Sequence, residues 1–184
     1  MSEAERVHPG ADMERFVREQ MEFVGLDEAD IALIRRTAPL VRAHEAELTT
    51  ALYDHFLNFP ATARFFLRAD GSPDRERVER RKHSLGRWLR ETAEVAMGKG
   101  FVYYLLGVAL SHSHREYGPG GTIPPQFIVG AMSLTQTALA GVLASELPDS
   151  RDALRAATAW NKLLLVHLNV LLLGYMLPPS APRA

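Results

Sequence analysis

The chain has 184 residues, of which 47% are hydrophobic and 23% charged, with a formal net charge of −1 and no cysteine. That length suits one domain able to bury roughly 70% of the surface its unfolded form exposes, and the composition is that of a globular protein. A near-neutral charge gives no field for attracting nucleic acid or anionic lipid, and the lack of cysteine excludes disulfides, thiolate nucleophiles and cysteine-held zinc or iron–sulfur sites, so any metal must be held by histidine or carboxylate.

The opening segment "MSEAERVHPGADMERF" lacks a basic stretch followed by an apolar one, which predicts a cytoplasmic protein. Asp12 can cap a first short helix that carries Met13, Phe16, Val17, Gln20 and Val24 along one side and ends at Gly25. A second begins at the N-cap Asp27, with Asp30 three residues later, and is expected to break or kink at Pro39. Helix resumes from Leu40 to Phe59, and Pro60 stops it. Asp70-Gly71 and Pro73 mark a loop, after which Val78, Lys82, Leu85, Leu89 and Thr92 share a helical face.

The next helix, from Phe101 to about Tyr117, ends in two histidines followed by "GPGGTIPP". A helix from about Pro125 to Leu143 and a last one from about Asp152 to Met176 complete the set, with residues 178–184 as a flexible tail. The run "LLLVHLNVLLLGYML" is interrupted by His167 and Asn169, falls short of about 20 clean residues, and reads as a buried helix rather than a membrane span, with His167 a satisfied core or interface histidine. No strand-like alternation bounded by hairpin turns occurs, so the predicted fold is all-α, in one domain.

Phe101, Leu105, Val108 and His112 recur along one face of their helix, while His114 lies about 200° further round, above Tyr103, Leu106, Gly107 and Leu110. Both faces are apolar. Either histidine can satisfy the last carbonyls of the helix, where a cation also meets the negative end of its dipole, or can present a ligand nitrogen, and periodicity does not choose between them.

The stretch "LYDHFLNFPATARFFLRADGSPDRERVERRKHSLGRWLRET" and the final "AWNKLLLVHLNVLLLGY" resemble the sensor-globin lineage, meaning protoglobins and the haem domains of globin-coupled sensors, over most of the chain from about Glu14 to Tyr175. The shared features are the Leu52-Tyr53 pair with Pro60 seven residues later, the Asp-Gly-x-Pro loop at Asp70–Pro73 and the Arg87-Trp88 pair. The resemblance implies a globin-like all-α fold in which residues 1–25 form an N-terminal extension with an extra helix and 26–177 the core. It also implies haem b as cofactor, with His112 as iron ligand; His114 is the alternative, because its spacing to Gly118 also fits the family.

On the same resemblance Tyr53 becomes the distal hydrogen-bond donor, Leu52, Leu85, Val108 and Ile128 line the haem slot, and Phe66, ahead of Phe65, packs on its face. Arg81 or Lys82 would meet the haem propionates, since the charges match. The implied function is reversible binding of O2, CO or NO as carrier or sensor, with a homodimer formed through the last two helices and, since the sequence stops at Ala184, no fused output domain. Two rivals stand beside it: the same haem turning over NO or peroxide, and a haem-free helical interaction domain in which both histidines simply end a helix.

Overall fold

The computed structural model describes residues 12–95 and 99–177. Helix α1 (Met13–Phe23) starts where Asp12 accepts the Arg15 amide at 3.0 Å, and it ends at Gly25, whose φ of 65° reverses the chain. Helix α2 (Glu28–Ala43) opens on the reciprocal Asp27/Asp30 capping box that the sequence predicts. It does not break at Pro39. That residue lies on the exposed side, where water can satisfy the Arg35 carbonyl that loses its amide partner, and the break comes instead at His44, before α3 (Glu45–Asn58).

Pro60 ends α3 as predicted, and it also opens the short α4 (Pro60–Ala63), which runs into a 3-10 turn at Arg64–Phe66. In the loop after it, Asp70 accepts from both the amide and the hydroxyl of Ser72, at 2.9 and 2.6 Å, and Asp74 then caps α5 (Arg75–Ala93). Helix α6 (Lys99–His114), a 3-10 turn at Gly118–Gly120, α7 (Pro125–Glu146) and α8 (Ser150–Met176) complete the described chain. The 178–184 tail and residues 1–11 of the N-terminal extension lie outside the described residues.

Helix α8 is the axis of the core and packs against α1, α2, α6 and α7, while α3 crosses α5 and α7 beside it. Its buried side includes Trp160, Leu163, Leu164, Val166 and Val170. The Trp160 indole donates to Thr37 Oγ1 at 2.9 Å, joining α8 to α2 with a satisfied buried polar group. Both α7 and α8 are long and apolar enough to cross a membrane by length and composition alone, but 61% of the relevant α8 window is buried inside the fold against 17% for α7.

His167 departs from expectation. It is buried in α8, 6.0 Å from Trp88 and 5.4 Å from Phe101 between ring centroids, yet neither ring nitrogen, nor Trp88 Nε1, has a hydrogen-bond partner among the described residues. Burial alone pushes its pKa down to about 3, so the ring is neutral when folded. Since a histidine in the unfolded chain titrates near 6.5, the unfolded state binds more protons between about pH 6.5 and 3, and stability falls as pH drops through that window, at up to about 1.4 kcal/mol per pH unit for one proton. Urea unfolding across pH 4 to 7 should therefore show a shallower pH slope for His167→Phe than for the native chain. An unchanged slope would mean that the ring is not held neutral.

Candidate functional site

A cavity of about 320 Å³ lies between α3, α5, α6 and α7, with Leu171 reaching it from α8. Helical spacing builds its apolar walls: Leu52 from α3, Leu85 from α5, Val108 from α6 and Ile128 from α7 all line it, and Phe65 and Phe66 reach it from the 3-10 turn after α4. A second apolar cavity of about 200 Å³ adjoins it and shares Leu52, Leu85, Trp88 and Thr135.

Within these walls stand a few polar side chains. His112, in the last turn of α6, lines the cavity, and its Nδ1 is a buried atom with no hydrogen-bond partner among the described residues. Burial, aided by the nearby Arg81 charge, holds its pKa down at about 4, so at neutral pH the imidazole is uncharged and keeps a lone pair for a ligand. Its backbone is fixed as well, since the Ile123 amide donates to the His112 carbonyl at 3.0 Å.

His114 is used differently. Its Nε2 donates to the Leu177 carbonyl at 3.2 Å, Nδ1 lies 2.7 Å from Ser113 Oγ, and the ring does not line the cavity. The two histidines thus divide the roles that the sequence leaves open: one stands at the cavity, and the other fastens the end of α6 to the end of α8.

Tyr53 is 8% exposed and meets the rings of Phe56 and Phe66 edge-on at 5.6 and 5.8 Å. Its hydroxyl makes no hydrogen bond among the described residues. Burial pushes its ionisation upward, against the opposing influence of Arg81, so it stays a neutral phenol able to donate.

Of the cations of α5, Arg77, Arg81 and Lys82 differ in what engages them. Arg77 is engaged by Asp74 at 3.1 Å and by the carbonyls of Phe65 and Leu67. Lys82 does not line the cavity and sits 3.5 Å from Glu79. Arg81 does line it, has no carboxylate within ion-pair distance among the described residues, and donates from Nη2 to the Tyr117 hydroxyl at 2.9 Å. Of the pair that charge alone offers, the geometry brings Arg81 to the cavity.

The α6 stripe keeps Leu105, Val108 and His112 and exchanges Phe101 for Tyr104. Phe101 turns into the core beside His167, and the face that meets the cavity is Tyr104, Leu105, Val108 and His112. Tyr104 lies four residues before Val108, so helical spacing contained that signal; Phe127 in the apolar series of α7 carried it too. Tyr117, beyond the end of α6, had no periodicity to announce it.

An apolar slot, a neutral unpaired imidazole, a neutral phenol donor and a cation without a carboxylate suit a flat apolar group that carries a metal at its centre and acids on its edge. The donor set fits haem. The chain is also similar in fold to solved globin domains: the globin domain of the Geobacter sulfurreducens globin-coupled sensor matches with a TM-score of 0.72 at 17% identity, over 86% of this chain and 96% of that one. The globin domain of E. coli DosC matches in its ferrous form with a TM-score of 0.66 at 16% identity, over 84% and 97% of the two chains, and in its ferric form with 0.61 at 19%, over 83% and 97%. No curated protein sequence matches. The Protoglobin family model spans residues 13–177 of this sequence, which therefore belongs to the protoglobin family.

Proposed function

We propose that the chain is a cytoplasmic haem b protein that takes its iron on His112 and reversibly binds a diatomic gas, O2 and also CO or NO, as a carrier or sensor. The observation that carries this reading is the half-buried, uncharged His112 ring, its Nδ1 buried and unpartnered among the described residues, at the edge of an apolar cavity that also holds Tyr53. When bound, haem would supply the iron that takes up the gas, and His112 would hold that iron. The chain's own residues do the rest: Leu52, Leu85, Val108 and Ile128 exclude water, Phe66 packs in the same cavity, and Arg81 offers its charge to a propionate. His112→Ala should abolish stoichiometric haem retention, read as loss of the Soret band after desalting, while His114→Ala should keep it. A histidine-ligated spectrum that survives in the first variant would overturn the choice of residue.

Tyr53 supports selectivity among gases. A neutral phenol in a water-poor cavity favours a ligand that gains negative charge at its outer atom, as O2 does and CO does much less. Tyr53→Phe, which keeps the ring and removes the donor, should speed O2 release on the order of tenfold or more, with a much smaller change for CO. Stopped-flow release rates check this, and an unchanged O2 rate would remove Tyr53 from the site.

A homodimer through α7 and α8 completes the reading. On α8, Leu154 is 68% exposed and Leu165 36%, with Thr158 between them on the same side, and the adjoining face of α7 is exposed at Ser133, Thr137 and Gly141. A groove of about 330 Å³ between the two helices includes Gln136, whose buried Nε2 has no partner among the described residues. A second copy of this surface could cover the leucines and supply an acceptor. Light scattering should give a dimer mass for the native chain and a monomer mass for Leu154→Glu/Leu165→Glu; a native monomer at micromolar concentration would dismiss the interface.

A further inference from the structure

Tyr117 is 5% exposed and stands five positions past His112 in a loop whose glycines are required by close approach. Gly118 has φ of 53°, and a Cβ there would lie 2.5 Å from the Leu67 carbonyl oxygen; one at Gly120 would lie 2.4 Å from Phe65 Cδ1. The loop is therefore pressed against the segment that follows α4. Its own bonds close it, with the Tyr117 amide donating to Gly121 O at 2.9 Å and the Gly120 amide to Tyr117 O at 3.1 Å. This fold returns the Tyr117 ring to the cavity, 6.4 Å from the His112 ring.

The Tyr117 hydroxyl then uses its whole bonding capacity. It accepts from Arg81 Nη2 at 2.9 Å and from the Ser111 hydroxyl at 2.6 Å, and it donates to the Ser111 carbonyl at 3.2 Å. Ser111 immediately precedes His112 in the last turns of α6, while Arg81 comes from α5 and also lies over the Tyr117 ring at 5.2 Å. An arginine that is long, charged and without a carboxylate partner among the described residues would otherwise sample many rotamers; here its guanidinium is held at the cavity before any anion arrives.

We propose that Tyr117 is a positioning residue that holds Arg81 ready for a haem propionate and ties that cation to the turn of α6 bearing His112. The inference rests on the haem reading above. It makes the acid edge of the cofactor and its iron ligand share one anchor, so that fixing the propionate also fixes the backbone beside the imidazole.

The test compares hemin with hemin dimethyl ester, whose propionate charges are masked, by the rate at which each leaves the protein for an excess of a competing apoglobin. The native chain should hold hemin longer than the ester, and Arg81→Met should abolish that preference. Tyr117→Phe keeps the ring and its stacking on Arg81 but loses the hydroxyl; it should release hemin roughly tenfold faster while leaving ester release nearly unchanged, since of the three hydrogen bonds the hydroxyl makes only the one to Arg81 bears on a propionate charge. The double variant should be no worse than Arg81→Met alone. A merely structural hydroxyl would speed the loss of both porphyrins equally, and that result, or unaltered discrimination in Tyr117→Phe, would overturn the proposal. If Tyr117→Phe loses helical circular dichroism, Ser111→Ala decides instead: partial loss of discrimination supports the role and full discrimination dismisses it. A native chain that takes up no hemin overturns the haem reading itself, an outcome separate from either of these.

Discussion

The close crossing of α6 over α8 governs the rest of the site. At Gly174 a Cβ would lie 2.5 Å from the Ala109 Cβ and 2.9 Å from the Ala109 carbonyl carbon, so the two helices meet almost backbone to backbone, and only glycine on one side and a methyl on the other allow it. Ser113 Oγ then donates across the contact to the Gly174 carbonyl at 3.0 Å, and the Tyr175 hydroxyl donates at 2.7 Å to the Ile123 carbonyl, whose own amide bonds to His112 O. These bonds fix where α6 ends. Because His112 lies one turn beyond Ala109, the crossing also fixes the height at which an imidazole enters the cavity.

Burial sets the protonation of that cavity more than charge pairing does. The same desolvation that keeps His112 unprotonated keeps Tyr53 protonated, so at neutral pH the site presents a base without charge and a donor without charge. Arg81 reinforces the first and opposes the second; it lowers the affinity of His112 for a proton and favours ionisation of Tyr53, yet burial prevails for the phenol. A charged group at either position would draw water into the slot. The neutral pair leaves Arg81 as the cation that an acidic edge meets, while Arg77, one turn earlier, is already occupied by Asp74 and two carbonyls.

Much of the fold was legible because its boundaries are written in short-range chemistry. The Asp27/Asp30 box, the Asp12 cap, Gly25, Pro60 and the Asp70-Gly71 turn each act over a few residues, and each does in the structure what its type dictates. Pro39 misled because a missing amide matters only where the freed carbonyl is buried, and periodicity around it did not reveal that it faces water. Arg81 and Lys82 differ by about 100° on the helix, enough to send one into the cavity and the other outward, but both stand three or four residues from Val78 and Leu85. His167 was placed correctly in the core, and what could not be read was its lack of partners, since hydrogen bonding between α8 and α5 is a property of packing.

The two histidines bring these strands together. Residues two apart on a helix cannot face one way, so a single cavity can use only one of them, and the choice is made by what each meets after the helix ends. His114 finds the Ser113 hydroxyl beside Nδ1 and the Leu177 carbonyl, just past α8, at Nε2, so both its nitrogens have protein neighbours. His112 finds the returning loop, which bonds its carbonyl through Ile123 and brings Tyr117 alongside, but offers nothing to its buried Nδ1. The glycine and proline residues that break the helix therefore serve the histidine before them: they fold the chain tightly against Phe65 and Leu67 at the side of the cavity, while leaving the imidazole Nδ1 without a competing partner among the described residues.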